Sequence, residues 1–422
     1  MIINKKTIRL IIRFEIVFTL VIFEIIDLFK LPNTILYILD ALNIVLFIYL
    51  LASKTKKQQF ILAEYNITKY SLIVLIIGIF LSDIINCVSP FLIIWAFRNS
   101  FRFLALFFSS IMVLEEEDVK SIFDLMIWIQ IPNVVLTLFQ YYVIGTSWDN
   151  IGGIFGTQSG CNAYSNVYFC IIVIYAITQY VNGKCTFLRL FLVCGSSLVL
   201  STFGEIKFFY IEFVIIILIC MFMTHPSLKK VSALIVSIMT FVIGMTILSA
   251  VMPDAYKFFT NFDVFMNYNN TVLSGYNINR IGAFSHINQL FFHNSILKNM
   301  FGLGFGNCEY SSITIFNSHF HDIYGGFHYR WFSHQMWFLE TGYVGIILLV
   351  LFLLSVFFWG IQKRNKLQCN WEWGLFANVF SLITIINLWY NNAIRVETGY
   401  LVYFALAAPF IILKSKNKQI RI

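Results

Sequence analysis

The sequence predicts an all-α polytopic integral membrane protein of about twelve transmembrane helices with one large extracytoplasmic loop. Three observations carry this expectation. Of 422 residues, 59% are apolar and only 12% charged, against roughly 25% charged in a soluble domain, and the mean hydropathy is +0.79. Apolar runs of about 20 residues, long enough to cross a bilayer as helices, recur along the chain. One long polar interruption, 253–334, holds six of the seven histidines: His286, His293, His319, His321, His328 and His334. It also carries Arg280, Arg330, Asp263, Asp322 and Glu309, so the titratable chemistry is expected there.

The apolar runs place helix cores at 9–29, 34–52, 68–86, 90–113, 121–145, 161–181, 186–203, 205–224, 231–252, 335–360, 373–391 and 396–413. The first run contains Arg13, Glu15 and Glu24 and no small-residue cleavage site, so it reads as a retained span. The seventh and eighth abut at Phe203-Gly204-Glu205. The chain thus divides into 1–252 with nine helices, 253–334 as the large loop, and 335–422 with three helices and a basic tail.

Short loops rich in Lys and Arg mark the cytoplasmic side. Lys5, Lys6 and Arg9, then Lys54, Lys56 and Lys57, then Lys184, then Lys229 and Lys230, then Lys363, Arg364 and Lys366, and the tail from Lys414 to Arg421 all fall on one side. Both termini are then cytoplasmic and the histidine-rich loop faces outside. The formal charge of +8 is spread over these short loops, which speaks for membrane orientation and against a nucleic-acid partner. No CxxC pair occurs among the eight cysteines, and Cys170, Cys194 and Cys220 lie within spans. A disulfide framework or cysteine zinc site is not expected.

Within the fourth span, Arg98 and Arg102 stand four residues apart on one helix face, roughly 12 and 18 Å from its outer end at about 1.5 Å per residue. Charge at that depth needs polar company. A phosphate held in a bidentate fork is one partner; Asp83, Asp124 or Glu205 on other helices is the other. A second patch, Thr202 to Lys207, sets Glu205 and Lys207 too close to share a helix face, so each is expected to reach a different neighbour. A third, Gly152 to Gly160 with Asn162 and Asn166, opens a helix with small residues whose N–H groups favour anions, or is a plain flexible loop.

In the large loop, His286 to Phe301 reads as an amphipathic helix, with Ile287, Leu290, Phe291, Ile296, Leu297 and Met300 in one sector. It either lies along the outer interface or packs inside a folded loop. His319, His321, Asp322, His328 and His334 offer zinc-type donors, but nothing else in the sequence supports a metal, and none is assigned. Tyr324, Tyr329, Trp331 and Trp337 suit sugar stacking or an interfacial aromatic belt.

At the end of the loop, Asn299-Met300-Phe301-Gly302-Leu303-Gly304-Phe305-Gly306-Asn307, then His334, then Glu340-Thr341-Gly342-Tyr343-Val344-Gly345 opening an apolar helix, resemble the O-antigen and capsular polysaccharide polymerases and the related O-antigen ligases. Asn279-Arg280-Ile281 sits where that family has its loop arginine, and Gly204 to Lys207 resembles its middle-helix polar patch. In ligase-like members the histidine precedes the glycine turn by about three helical turns, whereas His334 stands eight residues before Gly342.

The resemblance implies a bacterial inner-membrane glycosyltransferase with a GT-C-like membrane architecture. It would polymerise undecaprenyl diphosphate-linked repeat units into O-antigen or capsule, without metal or other cofactor. Arg280, His334 and Glu340 are the implied catalytic residues. Arg98, Arg102, Glu205, Lys207, Arg330, Gly304 and Gly306 are the implied diphosphate- or sugar-binding residues. Chain-length regulator and flippase proteins are the implied partners. Two rivals stand beside it: an O-antigen ligase, and a flippase or transporter for lipid-linked oligosaccharides. The absence of an internal repeat disfavours the transporter.

Overall fold

A computed structural model describes residues 5–52, 56–146, 148–270 and 278–420; Lys54 and Arg421 of the charge pattern lie outside them. The described residues are helical and contain no strand. Twelve long helices coincide with the twelve apolar cores: α1 Lys5–Phe29, α2 Leu36–Leu51, α3 Asn66–Ile85, α4 Pro90–Val113, α5 Glu116–Phe139, α6 Cys161–Val181, α7 Phe187–Phe203, α8 Lys207–Met223, α9 Leu228–Val251, α10 Ser333–Leu367, α11 Glu372–Tyr390 and α12 Gly399–Ile420. Nine of them, among the described residues, are long and apolar enough to cross a membrane. The seventeen-residue α7 and α8 and the charge-bearing α1 fall outside that set.

The helix starts follow local chemistry. Glu115 and Asp118 form a reciprocal capping box on α5. Thr186 and Ser227 accept the N–H groups of Arg189 and Lys230 at the heads of α7 and α9, and Pro90 opens α4. Apolar on every side, α12 is buried continuously from Gly399 to Ser415, and α6 from Ser165 to Val181; such helices belong in the centre of a bundle. Outer helices turn Ile38, Val45, Ile77, Ile84, Trp128 and Val135 outward, a surface suited to lipid. Lys414, buried in α12, donates to the carbonyls of Ile111 and Leu114 at the end of α4, where four carbonyls lack helical partners.

The α10 helix is broken at Gly342, whose φ is 61°. The break frees carbonyls that the glycine-rich strip of the loop then satisfies. Leu303 N–H donates to Leu339 O and Gly304 N–H to Glu340 O, both at 2.9 Å, and Ser82 Oγ reaches Glu340 O at 3.2 Å. Irregular backbone at this depth survives only with such partners. Gly302, Gly304 and Gly306 all have positive φ and thread between α10 and the α3–α4 turn.

Two local expectations are corrected. His286 to Phe301 is not one helix: it splits into Ala283–Ile287, a wide turn Asn288–Phe292 and Ile296–Phe301. His293 and Asn294 take left-handed φ values of 51° and 60° between them. Its apolar residues part accordingly, Ile287 and Phe291 inward and Leu290, Ile296, Leu297 and Met300 outward. Glu205 and Lys207, expected to reach different neighbours, pair with each other at 2.7 Å; Glu205 has φ 52° and curls the α7–α8 turn back on itself.

The glycine break is directly testable. A Cβ on Gly342 would lie 2.5 Å from the Asn299 and Met300 carbonyl oxygens, on a backbone of positive φ. Gly342→Ala should lose at least about 2 kcal/mol, seen as a lower thermal midpoint in tryptophan fluorescence, while Gly326→Ala, with open space around it, should leave the midpoint unchanged.

Candidate functional site

Where α2, α4 and the α11–α12 turn meet the large loop, a cavity of about 220 Å³ is lined by Arg98, Arg102, Arg330 and Arg395. Glu309, Glu397, Tyr37, Trp95 and Tyr310 complete its charged and aromatic wall. Four guanidinium groups thus face two carboxylates. The arginines come from α4, from the loop and from the α11–α12 turn.

Asp40 on α2 is the anchor. It accepts from Arg98, from Arg102 at 2.9 Å and from the Tyr400 hydroxyl at 2.6 Å. Arg102, only 4% exposed, is held on its other side by Glu397 at 2.9 Å. Arg98 is sandwiched between the rings of Tyr37 and Trp95, at 4.6 and 5.0 Å from their centroids, and donates to Asn99 at 2.9 Å. The partners expected from the sequence are otherwise engaged. Asp83 accepts the Phe305 N–H, Asp124 pairs with Arg189, and Glu205 with Lys207.

The loop closes on the opposite wall. Glu309 pairs with Arg395 and accepts from Asn99 at 3.1 Å, and Trp95 Nε1 donates to the Tyr310 carbonyl at 2.8 Å. Arg330 lies over the Tyr310 ring at 5.2 Å and, among the described residues, pairs with no carboxylate. It is the cavity's uncommitted cation. Beside it His321 donates from Nδ1 to the Tyr329 hydroxyl, 3.1 Å away, which itself donates to Cys308 O. Burial and then the charge of Arg330 hold this imidazole below its ordinary pKa.

No protein-family model matches this chain, and no curated protein does either.

Of the implied binding residues, Arg98, Arg102 and Arg330 come together in the cavity, and the others do not line it. Gly304 and Gly306 are packing positions: a Cβ on Gly306 would meet the Leu92 carbonyl oxygen at 2.5 Å. Glu205 and Lys207 neutralise one another at the α7–α8 turn.

None of the implied catalytic residues lines the cavity. Glu340 is fully buried behind it, accepting Gly306 and Cys308 N–H groups at 2.9 and 3.3 Å, with Arg395 3.6 Å from its other oxygen. His334 is buried against Trp389, ring centroids 5.5 Å apart, and its nitrogens face the Leu388 and Arg280 carbonyls. Arg280 lies over the rings of Phe332 and Tyr390 instead.

The Gly152–Gly160 loop spends part of its N–H groups within the chain. Its Gly153, Ile154 and Thr157 N–H groups donate to Gln140, Asn133 and Asp27. Nor do the loop histidines assemble. His328 stacks on Trp331, Asp322 accepts from Asn317, and no group of three or more His, Cys, Asp or Glu is placed to hold a metal among the described residues. Of the four aromatics singled out, Tyr329 and Trp337 are buried, Tyr324 is half-buried, and Trp331 is exposed.

Sequence reasoning missed Asp40, Arg395 and Glu397. An Arg-x-Glu just before the last helix, on the loop's own side, was the available signal for two of them. If Asp40 anchors the cluster, Asp40→Asn leaves the half-buried Arg98 without a carboxylate and the buried Arg102 with Glu397 alone, and should cost about 3 kcal/mol. Tyr400→Phe removes one hydrogen bond to the same carboxylate and should cost about 1–2 kcal/mol. Thermal unfolding of the two purified variants checks the order.

Proposed function

We propose that the chain is a polysaccharide polymerase of the bacterial inner membrane that joins lipid diphosphate-linked repeat units on the outer face. The observation that carries this reading is the cavity itself: arginines from three separate parts of the chain converge beneath the loop that resembles the polymerase motif. On this reading the twelve long helices are transmembrane, both termini are cytoplasmic and the loop is extracytoplasmic, as the distribution of basic residues suggests.

The reaction breaks the bond between the anomeric carbon of the growing chain and its lipid diphosphate, and forms a glycosidic bond to a hydroxyl of the next repeat. Negative charge gathers on the departing diphosphate. Arg330, uncommitted, and Arg98, already positioned by Asp40 and its two rings, are placed to meet it. The acceptor hydroxyl must lose a proton. Glu397, more exposed than Glu309 at 16% against 2%, is the cavity carboxylate better placed to receive it and pass it to outer water. Trp95, Tyr37 and Tyr310 provide faces for sugar rings.

Removing the gene from its host should leave surface polysaccharide as single repeats. Wild-type gene should restore long chains, and Arg330→Gln should lower polymerisation on the order of 10²-fold at equal protein level. Long chains in the deletion strain would contradict the polymerase reading. Accumulation of lipid-linked repeats on the cytoplasmic face alone would favour a flippase.

A further inference from the structure

At the opposite end of the bundle lies a second cavity of about 540 Å³, walled by Asn182, the α8–α9 turn from Thr224 to Ser227, Arg364, Gln368 and Trp371. Its wall contains no carboxylate. Arg364 lies over the Trp371 ring at 4.6 Å and donates one N–H to the Met223 carbonyl. Among the described residues it pairs with no acid. Glu372, which accepts from Asn182, is fully buried and already paired with Lys184 at 2.6 Å. A second cation stands at the rim: the Lys229 ammonium lies against Gly183, next to Asn182. His225 adds a third titratable donor.

The flanks of this cationic cavity are strongly apolar and open. Phe222 is 87% exposed and Leu228 90% exposed, and they bracket the α8–α9 turn on the two sides of the wall. An occupant that satisfies both features has an anionic head and hydrocarbon tails. We propose that this cavity is a binding site for the headgroup of an anionic glycerophospholipid, with the phosphate on Arg364 and Lys229, the glycerol against Trp371, and acyl chains along Phe222 and Leu228. Basic pockets between helices at the cytoplasmic interface recognise such lipids by the same chemistry. The site stands apart from the arginine cavity. From the break at Gly342 to Arg364 alone, α10 rises roughly 33 Å at about 1.5 Å per residue.

The test uses the full chain in nanodiscs of phosphatidylcholine with or without phosphatidylglycerol, read by thermal midpoint and by lipid retained in native mass spectrometry. Phosphatidylglycerol should raise the midpoint and be retained, with affinity about tenfold weaker in Arg364→Gln. A His225→Gln/Lys229→Gln double variant leaves the Arg364 packing intact and should also weaken retention. Lys257→Gln, on the large loop, should change nothing. Equal midpoints in the two lipids, or full retention in both site variants, would overturn the proposal. So would the same loss in Lys257→Gln, which would make the effect general surface charge. If inorganic phosphate in phosphatidylcholine discs reproduces the rise, the site reads a free oxyanion and the lipid assignment fails.

Discussion

The buried Asp40 carboxylate is the constraint on which the arginine cavity depends. Two guanidinium groups within a largely apolar bundle cannot stand without counter-charge, and Asp40 supplies it to Arg98 and Arg102 at once. The consequence is geometric. Arg102 is consumed between Asp40 and Glu397, drawing the head of the last helix against α2 and α4. Arg98 is left with its plane fixed by two aromatic rings and partly open to the cavity. A structural pair and a candidate binding group are therefore made by the same carboxylate.

A second constraint couples the loop to this cluster. The break at Gly342 leaves helix carbonyls that the glycine-rich strip and Ser82 satisfy, while the Glu340 side chain captures the strip's next N–H groups. The strip in turn delivers Glu309 to Arg395 and the Tyr310 carbonyl to Trp95. Residues of the glycine-rich strip and Glu340 thus frame the cavity wall through their hydrogen bonds. The same logic explains why so polar a loop can lie close over an apolar bundle: its backbone groups are paired where it touches the helices.

How far the sequence revealed this follows from what each signal encodes. Long apolar runs locate helices well, and all twelve were legible, as were the four-residue spacing of Arg98 and Arg102 and the glycine turn at Gly342. Partner choice was not. Asp40 is 62 residues from Arg102, and Arg395 is 86 from Glu309. Helices apolar on nearly every side carry little periodic signal about which faces meet. The split of His286–Phe301 was hidden because apolar spacing continues across His293 and Asn294, while their left-handed backbone is set by tertiary packing. Histidine clustering along the chain proved no guide to clustering in space.

The central claim is that the cavity reads a diphosphate through an uncommitted arginine beside an anchored one. Calorimetric titration of the purified chain with a short isoprenyl diphosphate tests it most directly. Binding should be measurable, weaken for the monophosphate, vanish for the free isoprenol, and fall about tenfold in Arg330→Gln. Equal binding of the diphosphate and the alcohol, or affinity untouched by Arg330→Gln, would contradict it.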